Sequence, residues 1–306
     1  MSNPITIVIP AYNRAHTLSR TLASIEKQNV APARVVLVDN ASSDSTLSLM
    51  RDWAAKSHTF DVVVMTEQKR GACAARNRGL QEVETGFVMF FDSDDEMSAD
   101  HVSDFSAAIS RNPQADIFGR DIITESIGGK RKRLYFTSRD TIFNHLFRGC
   151  LSTQRIVVRT DLVRKVGGWN ENLAVWNDFE LGVRLLLATD RIVNLPGAPT
   201  VITYQQAESI TGTSFSAKAG QWEMSLDSIE KGFRGAGQPD MIKWIDCRRM
   251  ILAAEYANEG RNDLAVRLRS EAKARGKNSK RISVVYHYHK HFHRLSWIVA
   301  KLLFLL

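Results

Sequence analysis

Three aspartates lie within four residues, directly after an apolar run. The run, Gly86–Phe91, has the composition of a buried strand, and Asp92, Ser93, Asp94 and Asp95 follow it. Carboxylates removed from water are costly unless they are paired or metal-bound, and their oxygens are ligands that divalent cations such as Mg²⁺ prefer. A helix that begins here, with Ser93 or Asp94 as N-cap, explains the same residues. The segment alone therefore leaves a metal site and a helix cap open.

The elements that must position these carboxylates alternate between strands and helices. Apolar strand candidates are residues 5–9, 35–38, 62–65 and 87–91. Amphipathic stretches lie between them, at about 15–27, 44–55 and 72–83. This alternation predicts an α/β fold with a mostly parallel, doubly wound sheet flanked by helices.

Polar, turn-forming segments follow all four strand candidates. They are Pro10–Arg14, Asp39–Asp44, Glu67–Gly71 and Asp92–Asp95. Because open α/β sheets bind ligands at the carboxyl ends of their strands, we expect these segments to share one site.

The rest of the chain is less regular. Further strands are predicted near 116–124, 155–159 and 199–204. Helices are predicted near 177–188, 241–257 and 263–275. We therefore predict a sheet domain over residues 1–220 and a helical, basic extension over 221–306.

The positive charge is concentrated in that extension. The net charge is +8, and residues 230–306 hold 16 Lys/Arg against 7 Asp/Glu. This asymmetry indicates an anionic surface as a partner of the C-terminal part. The three cysteines show no zinc-binding spacing and suit a reducing compartment. Neither a signal peptide nor an apolar run of 18 residues is visible, so we expect a cytoplasmic protein without a transmembrane helix.

Several short motifs occur in a fixed order along the chain. They are Ile9–Asn13 (IPAYN), Val38–Asp44 (VDNASSD), Gly71–Asn77 (GACAARN), Asp92–Asp94 (DSD), Gly167–Trp169 (GGW) and Asn177–Asp178. On these residues the chain resembles family 2 glycosyltransferases of the GT-A fold, over roughly residues 3–210. The resemblance implies an inverting, metal-dependent transfer of a sugar from a nucleotide donor, most simply a UDP-sugar.

The resemblance also implies roles for the nucleotide-binding residues. The Tyr12 ring is expected to pack on the nucleobase, and loop packing is its alternative. Asp39 is expected to accept a hydrogen bond from a uracil N–H, with a turn-forming Asp as the alternative. Asp44 either caps the next helix or contacts the nucleotide. Further nucleotide-contacting residues are expected to be Pro10, Ala11, Arg14, Arg76, Asp92 and Ser93, with Arg76 at the diphosphate.

The resemblance assigns the metal to the DSD motif. Asp94 would bind Mg²⁺ or Mn²⁺ and Asp92 would contact the metal or the ribose, so that the metal neutralises the departing nucleoside diphosphate. Asp95 is expected to be a bystander or a helix cap.

Asp178 is the candidate general base. It begins a predicted helix and would take the proton of the acceptor hydroxyl during a direct, inverting displacement; a first-turn helix acid is the alternative. Relatives often carry Glu-Asp where this chain has Asn177-Asp178, and the segment Tyr204–Ser209 lacks the Arg and His of many relatives. Trp169 and Trp176 could each stack on a sugar or pack in the core.

The tail is the second informative region. His287, His289, His291 and His293 alternate with other residues, which would place them on one face of a strand or spread them around a helix. A metal site here lacks a second ligand cluster in the sequence. The basic, aromatic and apolar residues suit the inner face of a membrane, and a packed helix or a homodimer interface is the alternative. No nucleic-acid-binding motif is present.

Together these features predict an enzyme that adds one sugar to a glycan or lipid-linked acceptor during cell-surface polysaccharide synthesis. The Gln-x-x-Arg-Trp element of processive synthases is absent, which favours single-sugar transfer. A nucleotidyltransferase of related fold and a non-catalytic glycan- or membrane-binding protein are the alternatives.

Overall fold

A computed structural model describes residues 3–206, 214–275, 278–293 and 295–305. The chain divides into two compact units. The first takes in the described residues of 1–141 and 150–207, and the second those of 142–149 and 208–306. The sequence-based division at residue 220 stays a prediction about domains.

The strands and helices of the first half follow the predicted alternation. The described residues contain the strands β1 Ile5–Ala11, β2 Arg34–Asp39, β3 Asp61–Thr66, β4 Phe87–Phe90, β5 Glu96–Met97, β6 Ile117–Gly119, β7 Ile122–Glu125, β8 Arg131–Leu134, β9 Ile156–Arg159, β10 Ile192–Asn194 and β11 Val201–Tyr204. The α-helices among them are α1 Leu18–Glu26, α2 Thr46–Ala54, α3 Ala72–Gln81, α4 His101–Arg111, α5 Thr141–Arg148, α6 Thr160–Lys165, α7 Asn177–Ala188, α8 Ala219–Gly235, α9 Ile242–Asn258, α10 Asn262–Ala274, α11 Ser279–Phe292 and α12 Ser296–Leu305.

The central sheet has seven strands in the order β10-β6-β9-β4-β1-β2-β3. All neighbouring pairs are parallel except those of β9, which runs antiparallel to β4 and β6. The mostly parallel sheet flanked by helices is therefore confirmed. Every residue of β1 and β4 is buried, which explains why these strands are continuous apolar runs in the sequence.

The predicted strand at 116–124 is wrong as a single element. Its residues form β6 in the central sheet and β7 in a second sheet of order β5-β11-β7-β8. The chain changes sheets at Arg120 and Asp121, where Arg120 donates to the carbonyl of Ala198 at 2.8 Å and Asp121 accepts from the backbone N–H of Phe136 at 2.6 Å. Arg120 and Asp121 interrupt the apolar residues at this break, but the sequence does not show that the short runs on either side belong to different sheets.

The second unit is helical. Its buried core includes Trp222, Phe233, Ile245 and Tyr256, and α9 packs against α8, α10 and α11. The predicted helices at 241–257 and 263–275 are confirmed as α9 and α10. Within the described parts of the chain, no helix combines the length and the apolar character that crossing a membrane requires.

Candidate active site

The strand order reverses direction next to β1. The chain runs outward from β1 through β2 to β3, and then returns to place β4 on the other side of β1. A reversal of this kind opens a crevice at the carboxyl ends of the two adjacent strands. Two segments begin at these strand ends: Tyr12–Arg14 after β1 and Asp92–Asp95 after β4. Asp39 is the last residue of the neighbouring strand β2.

The three aspartates after β4 form one cluster. Asp92, Asp94 and Asp95 each offer a carboxylate oxygen, and these oxygens lie within 4.8 Å of one another. Gln154 donates from its amide nitrogen to Asp92 and, at 2.6 Å, to Asp95. The other Asp95 oxygen accepts from the backbone N–H of Tyr204 at 3.0 Å.

Burial and mutual repulsion raise the pKa values within this cluster. Burial raises the pKa of Asp94, and the nearby charge of Asp92 raises it further. Burial likewise raises the pKa of Asp95 well above its ordinary value, with Asp92 and Asp94 adding to the effect. A divalent cation would relieve both penalties, so the donor set fits Mg²⁺ or Mn²⁺.

Asp94 is the best placed of the three to bind such an ion. Its nearest ion-pair partner, Arg14, stands 3.6 Å from it, whereas both oxygens of Asp92 and of Asp95 already accept hydrogen bonds. The sequence-based choice of Asp94 as the main ligand stays a prediction.

The interpretation of Asp95 as a helix cap is wrong. The residues that follow it form β5, and the next helix begins only at His101. Asp95 is only 3% exposed, and it accepts hydrogen bonds from Gln154 and from the Tyr204 backbone. It therefore belongs to the cluster and is not a bystander.

Asp39 has one oxygen engaged and one without a protein partner. The residue is buried at the end of β2. Oδ2 accepts from the backbone N–H of Ser42 at 3.2 Å, as a turn-forming aspartate would. Oδ1 is buried and has no hydrogen-bond partner within the described residues. The Asp39 carboxylate thus stabilises the turn through Oδ2, while Oδ1 remains an acceptor without a hydrogen-bond partner in the described residues.

Asp44 acts within the protein. Its Oδ1 accepts from the backbone N–H of Thr46, at the start of α2, at 3.0 Å and from the Thr46 hydroxyl at 2.5 Å. Its Oδ2 accepts from the backbone N–H of Ala15 at 3.2 Å. Asp44 thus precedes the N-cap, Ser45, and binds both the start of α2 and the loop at Ala15, so both oxygens are occupied without a nucleotide.

The other predicted nucleotide contacts differ in accessibility. Tyr12 is 42% exposed, and the Arg70 guanidinium lies 4.4 Å from its ring centroid. Pro10 and Ala11 are buried inside β1, and the Ala11 carbonyl accepts from the Asn40 N–H. Ser93 is also buried. Tyr12 is therefore more exposed than Pro10, Ala11 or Ser93, and its ring offers an accessible aromatic face at this edge of the sheet.

Arg76 joins the cluster to the region of Asp178. It lies in α3, is 6% exposed, and donates from Nη2 to Asp92 at 2.7 Å. Its Nη1 lies 3.4 Å from Oδ1 of Asn177, and its guanidinium stacks 4.4 Å from the Trp169 ring. Asn177, the residue before the candidate base, thus contacts this arginine.

Asp178 lies in the first turn of α7, whose start was predicted at 177. Its Oδ1 accepts from the backbone N–H of Phe179 at 2.9 Å. Burial raises the pKa of Asp178, and the opposing attraction of Arg76 only partly offsets the effect. A cavity beside it is lined mainly by apolar side chains, including Phe90, Val163, Trp169, Leu181 and Leu185. A carboxylate in such surroundings is a stronger proton acceptor than an exposed one.

Two further candidates, Glu180 and Trp169, are buried and packed against other side chains. Glu180 is buried and paired with Arg184 at 2.6 Å. Trp169 is 3% exposed and meets Phe90 edge-on at 5.2 Å, which fits its core-packing alternative. Trp176 is partly exposed and has a left-handed backbone with φ 47°.

Three polar residues that hold the site together were missed from the sequence. Gln154 bridges two aspartates, as described above. Asn40 donates to the carbonyls of Glu67 and Lys69 and accepts from the N–H of Gly71. Asn77 exchanges two 2.8 Å hydrogen bonds with the backbone of Trp169. Asn40 and Asn77 stand inside quoted motifs, whereas Gln154 carries no local signal.

Comparison with known proteins decides the family. Residues 6–163, more than half of the chain, match the family model described as Glycosyl transferase family 2. The chain belongs to glycosyl transferase family 2. Among curated members, glycosyltransferase AglE of Haloferax volcanii is 27% identical over 203 residues, covering 65% of this chain and 65% of AglE.

A second family 2 relative carries its substrates in its name. It is the UDP-Glc:alpha-D-GlcNAc-diphosphoundecaprenol beta-1,3-glucosyltransferase WfgD of Escherichia coli, 28% identical over 148 residues, or 48% of this chain and 56% of WfgD. The chain thus spans less than two thirds of the length of these curated relatives.

Solved structures of similar shape show the GT-A fold. S. aureus TarS 1-349 in complex with UDP-GlcNAc aligns with 99% of this chain and 90% of its own, at a TM-score of 0.63 and 17% identity. The mannosyltransferase PcManGT of Pyrobaculum calidifontis, in complex with GDP-Man and Mn²⁺, aligns with 99% of this chain and 87% of its own, at a TM-score of 0.56 and 17% identity.

Proposed function

We propose that this family 2 member is an inverting, metal-dependent glycosyltransferase that moves a single sugar from a UDP-sugar to a glycan or lipid-linked acceptor. The observation that carries the proposal is that Arg76 interacts with two acidic groups, Asp92 and Asp178. Arg76 contacts Asp92 of the acidic cluster directly, and its charge acts on Asp178. This arrangement supports a metal site and a proton acceptor that lie close to each other.

The choice of a UDP-sugar rests on Asp39. Its buried Oδ1 has no partner among the described residues, and a buried acceptor without a donor costs about 1–3 kcal/mol. The N–H of a uracil ring would supply that donor, whereas cytosine has none at the corresponding position. UDP-Glc in the name of WfgD and the UDP-GlcNAc complex of TarS support the same donor class.

Asp94 would hold Mg²⁺ or Mn²⁺, with Asp92 as its neighbour. When bound, the ion would neutralise negative charge on the departing diphosphate. Gln154 and Arg76 orient Asp92, and Tyr204 and Gln154 orient Asp95, so the oxygens are already positioned. Positioned ligands of this kind reduce the ordering cost of binding.

Asp178 would accept the proton of the acceptor hydroxyl. Its raised pKa makes it a better base than an exposed aspartate. The cavity next to it is largely apolar. A single displacement with this base on the far side of the sugar from the leaving diphosphate inverts the anomeric centre.

We place the enzyme at the inner face of the membrane, where a lipid-linked acceptor would be present. The exposed side of α11 combines Lys280 and Arg281 with the exposed apolar residues Val284 and Phe292. Basic and apolar residues on one helix face suit anionic lipid. A homodimer through the same face is the alternative.

A donor panel tests the proposal. The parent protein is incubated with UDP-, GDP- and CDP-sugars, Mn²⁺ and lipid-linked acceptors, and the released nucleotide is measured. We expect UDP release that falls at least about a hundredfold in Asp94→Ala and Asp178→Asn. The matched control is Asp52→Ala, at an exposed aspartate on α2. Release of sugar 1-phosphate with transfer of UMP, instead of release of UDP, would show a nucleotidyltransferase, and equal activity in all variants would contradict the site.

A further inference from the structure

A second cluster of metal-ligating groups lies in the helical unit, apart from the aspartates. Glu255 of α9, together with His289 and His293 of the α11 region, offers three ligand atoms that lie within 4.8 Å of one another. The sequence showed only the alternating histidines. The structure supplies the carboxylate that they lacked, from a residue 34 positions away from His289.

Helical geometry selects these two histidines from the four. Residues four apart lie on the same helix face, whereas residues two apart lie on nearly opposite faces. His289 and His293 therefore share one face, and their rings are 5.8 Å apart. His287 and His291 share another face and are exposed. No such carboxylate or cysteine joins that second pair in the part of the chain that the structure describes.

The contacts of His289 prepare it as a ligand. Its Nδ1 lies 2.6 Å from the Ser296 hydroxyl, and its Nε2 lies 2.7 Å from Oε1 of Glu255. A ligating imidazole commonly hydrogen-bonds through its other nitrogen, which fixes the tautomer and the ring orientation. Ser296 can serve in this way, which leaves the Nε2 lone pair directed at the carboxylate. The lone pairs of Nε2 and of the Glu255 carboxylate oxygen repel each other unless a cation, either a proton or a metal ion, lies between them.

The burial of the three ligands is graded. His289 is 7% exposed, Glu255 is partly exposed and His293 is exposed. The site is thus anchored on the inside and open on the outside, where water can complete the coordination. His293 is the residue that directly follows the last turn of α11, and its backbone is left-handed, with φ 51°. A non-glycine residue in that conformation is uncommon, and such residues are concentrated at functional sites.

We propose that Glu255, His289 and His293 form a Zn²⁺ site that links α9 to the junction between α11 and α12. Two imidazoles and one carboxylate are a donor set that suits zinc, with water as the fourth ligand. The aspartate cluster, which offers oxygen alone, suits Mg²⁺ or Mn²⁺ instead. The two sites therefore differ in metal preference, and the zinc site fastens the C-terminal helices of the second unit.

The test is a Zn²⁺ titration of the full chain by calorimetry, in excess Mg²⁺ so that the aspartate cluster is occupied. We expect one equivalent of Zn²⁺ to bind and to raise Tm by about 5 °C at a hundredfold excess over Kd. His293→Ala is the main variant because its side chain is exposed, so its Tm in EDTA should equal that of the parent. Its Zn²⁺ affinity should fall at least about tenfold.

Three further arms complete the test. Glu255→Gln should also lose binding, Ser296→Ala should weaken it about tenfold, and the control His291→Ala should bind like the parent. Co²⁺ in place of Zn²⁺ should give visible absorption in the parent and in His291→Ala alone. Failure of Zn²⁺ to bind, or equal binding in His293→Ala and the parent, would overturn the proposal and leave the His289–Glu255 contact as an ordinary hydrogen-bonded pair.

Discussion

Asp178 is held in surroundings that disfavour its charged form. Burial raises its pKa above the ordinary value of 3.8. The folded protein therefore binds this proton more tightly than the unfolded chain does. The stability contributed by Asp178 is present at low pH and is lost as the pH rises from about 3.8 through the raised pKa. At neutral pH this carboxylate destabilises the fold.

Asp178→Asn should consequently raise stability while it removes activity. The amide oxygen can keep the hydrogen bond from Phe179, and the cost of a buried charge disappears. We expect a higher Tm at pH 7, and a transfer rate lower by about 10²–10⁴-fold because proton abstraction is lost. The gain in Tm should vanish below about pH 3.8. The control, Asp190→Asn at an exposed position, should change neither quantity, and a lower Tm in Asp178→Asn would contradict this account.

The same raised pKa predicts the pH dependence of transfer. A general base must be deprotonated, so kcat/KM should fall as the pH drops through the pKa of Asp178, at a pH above the ordinary 3.8. The measurement is a pH profile at saturating Mn²⁺, with UDP affinity followed in parallel to separate effects on metal binding. The residual activity of Asp178→Asn should lack this acid limb. Persistence of the limb in that variant would assign it to another group.

At the scale of elements, hydrogen bonds from short polar side chains fix the positions of neighbouring loops. Asn77 of α3 clamps the backbone of Trp169, at the end of the Gly167-Gly168-Trp169 turn. Gly168 has φ +67°, and a Cβ there would lie 2.7 Å from Oδ1 of Asn77. Glycine is required at this position both for its backbone angle and for the close approach.

Gly168→Ala should therefore destabilise the first unit by about 1–3 kcal/mol, since it adds backbone strain and breaks the Asn77 clamp. Urea unfolding followed by tryptophan fluorescence measures the change. The control is Gly128→Ala, where a Cβ meets nothing within 4 Å and φ is not positive. It should remain within about 0.5 kcal/mol of the parent. Equal midpoints for the two variants would show that the clamp contributes nothing.

At the scale of the whole molecule, charge is divided unevenly along the chain. Residues 230–306 carry the excess of Lys/Arg, whereas residues 1–229 are close to neutral, with 25 Lys/Arg and 26 Asp/Glu. Attraction of basic residues to anionic lipid amounts to about 1 kcal/mol each near the surface. The second unit is therefore the part that should respond to membrane charge.

Vesicle flotation tests this expectation. The full chain should float with vesicles that contain phosphatidylserine and not with neutral ones. The double variant Lys280→Glu/Arg281→Glu should reduce binding at least about tenfold. The matched control Lys27→Glu/Lys56→Glu changes two exposed lysines of the first unit and should float like the parent. Equal flotation with anionic and neutral vesicles would contradict a membrane role and leave a homodimer as the function of this helix face.

Much of the first unit was predictable because its signals are local. Buried parallel strands are continuous apolar runs, and helices between them are amphipathic, so β1 to β4 and α1 to α3 follow from short windows of sequence. The start of α7 at Asn177 and the position of Asp94 after β4 were predicted for the same reason. The break between β6 and β7 was not predicted, because two short apolar runs divided only by Arg120 and Asp121 do not reveal locally that they pair in different sheets.

By itself, the sequence predicted which residues could carry the chemistry: the aspartates after β4, Asp39 at the end of β2, Asp178 at a helix start, and the tail histidines. Tertiary structure decided which of them meet. Gln154 lies 59 residues from Asp95, the Tyr204 backbone 109 residues from it, and Glu255 34 residues from His289. Such pairings depend on strand order and helix packing, which arise from the whole chain, so no local pattern encodes them.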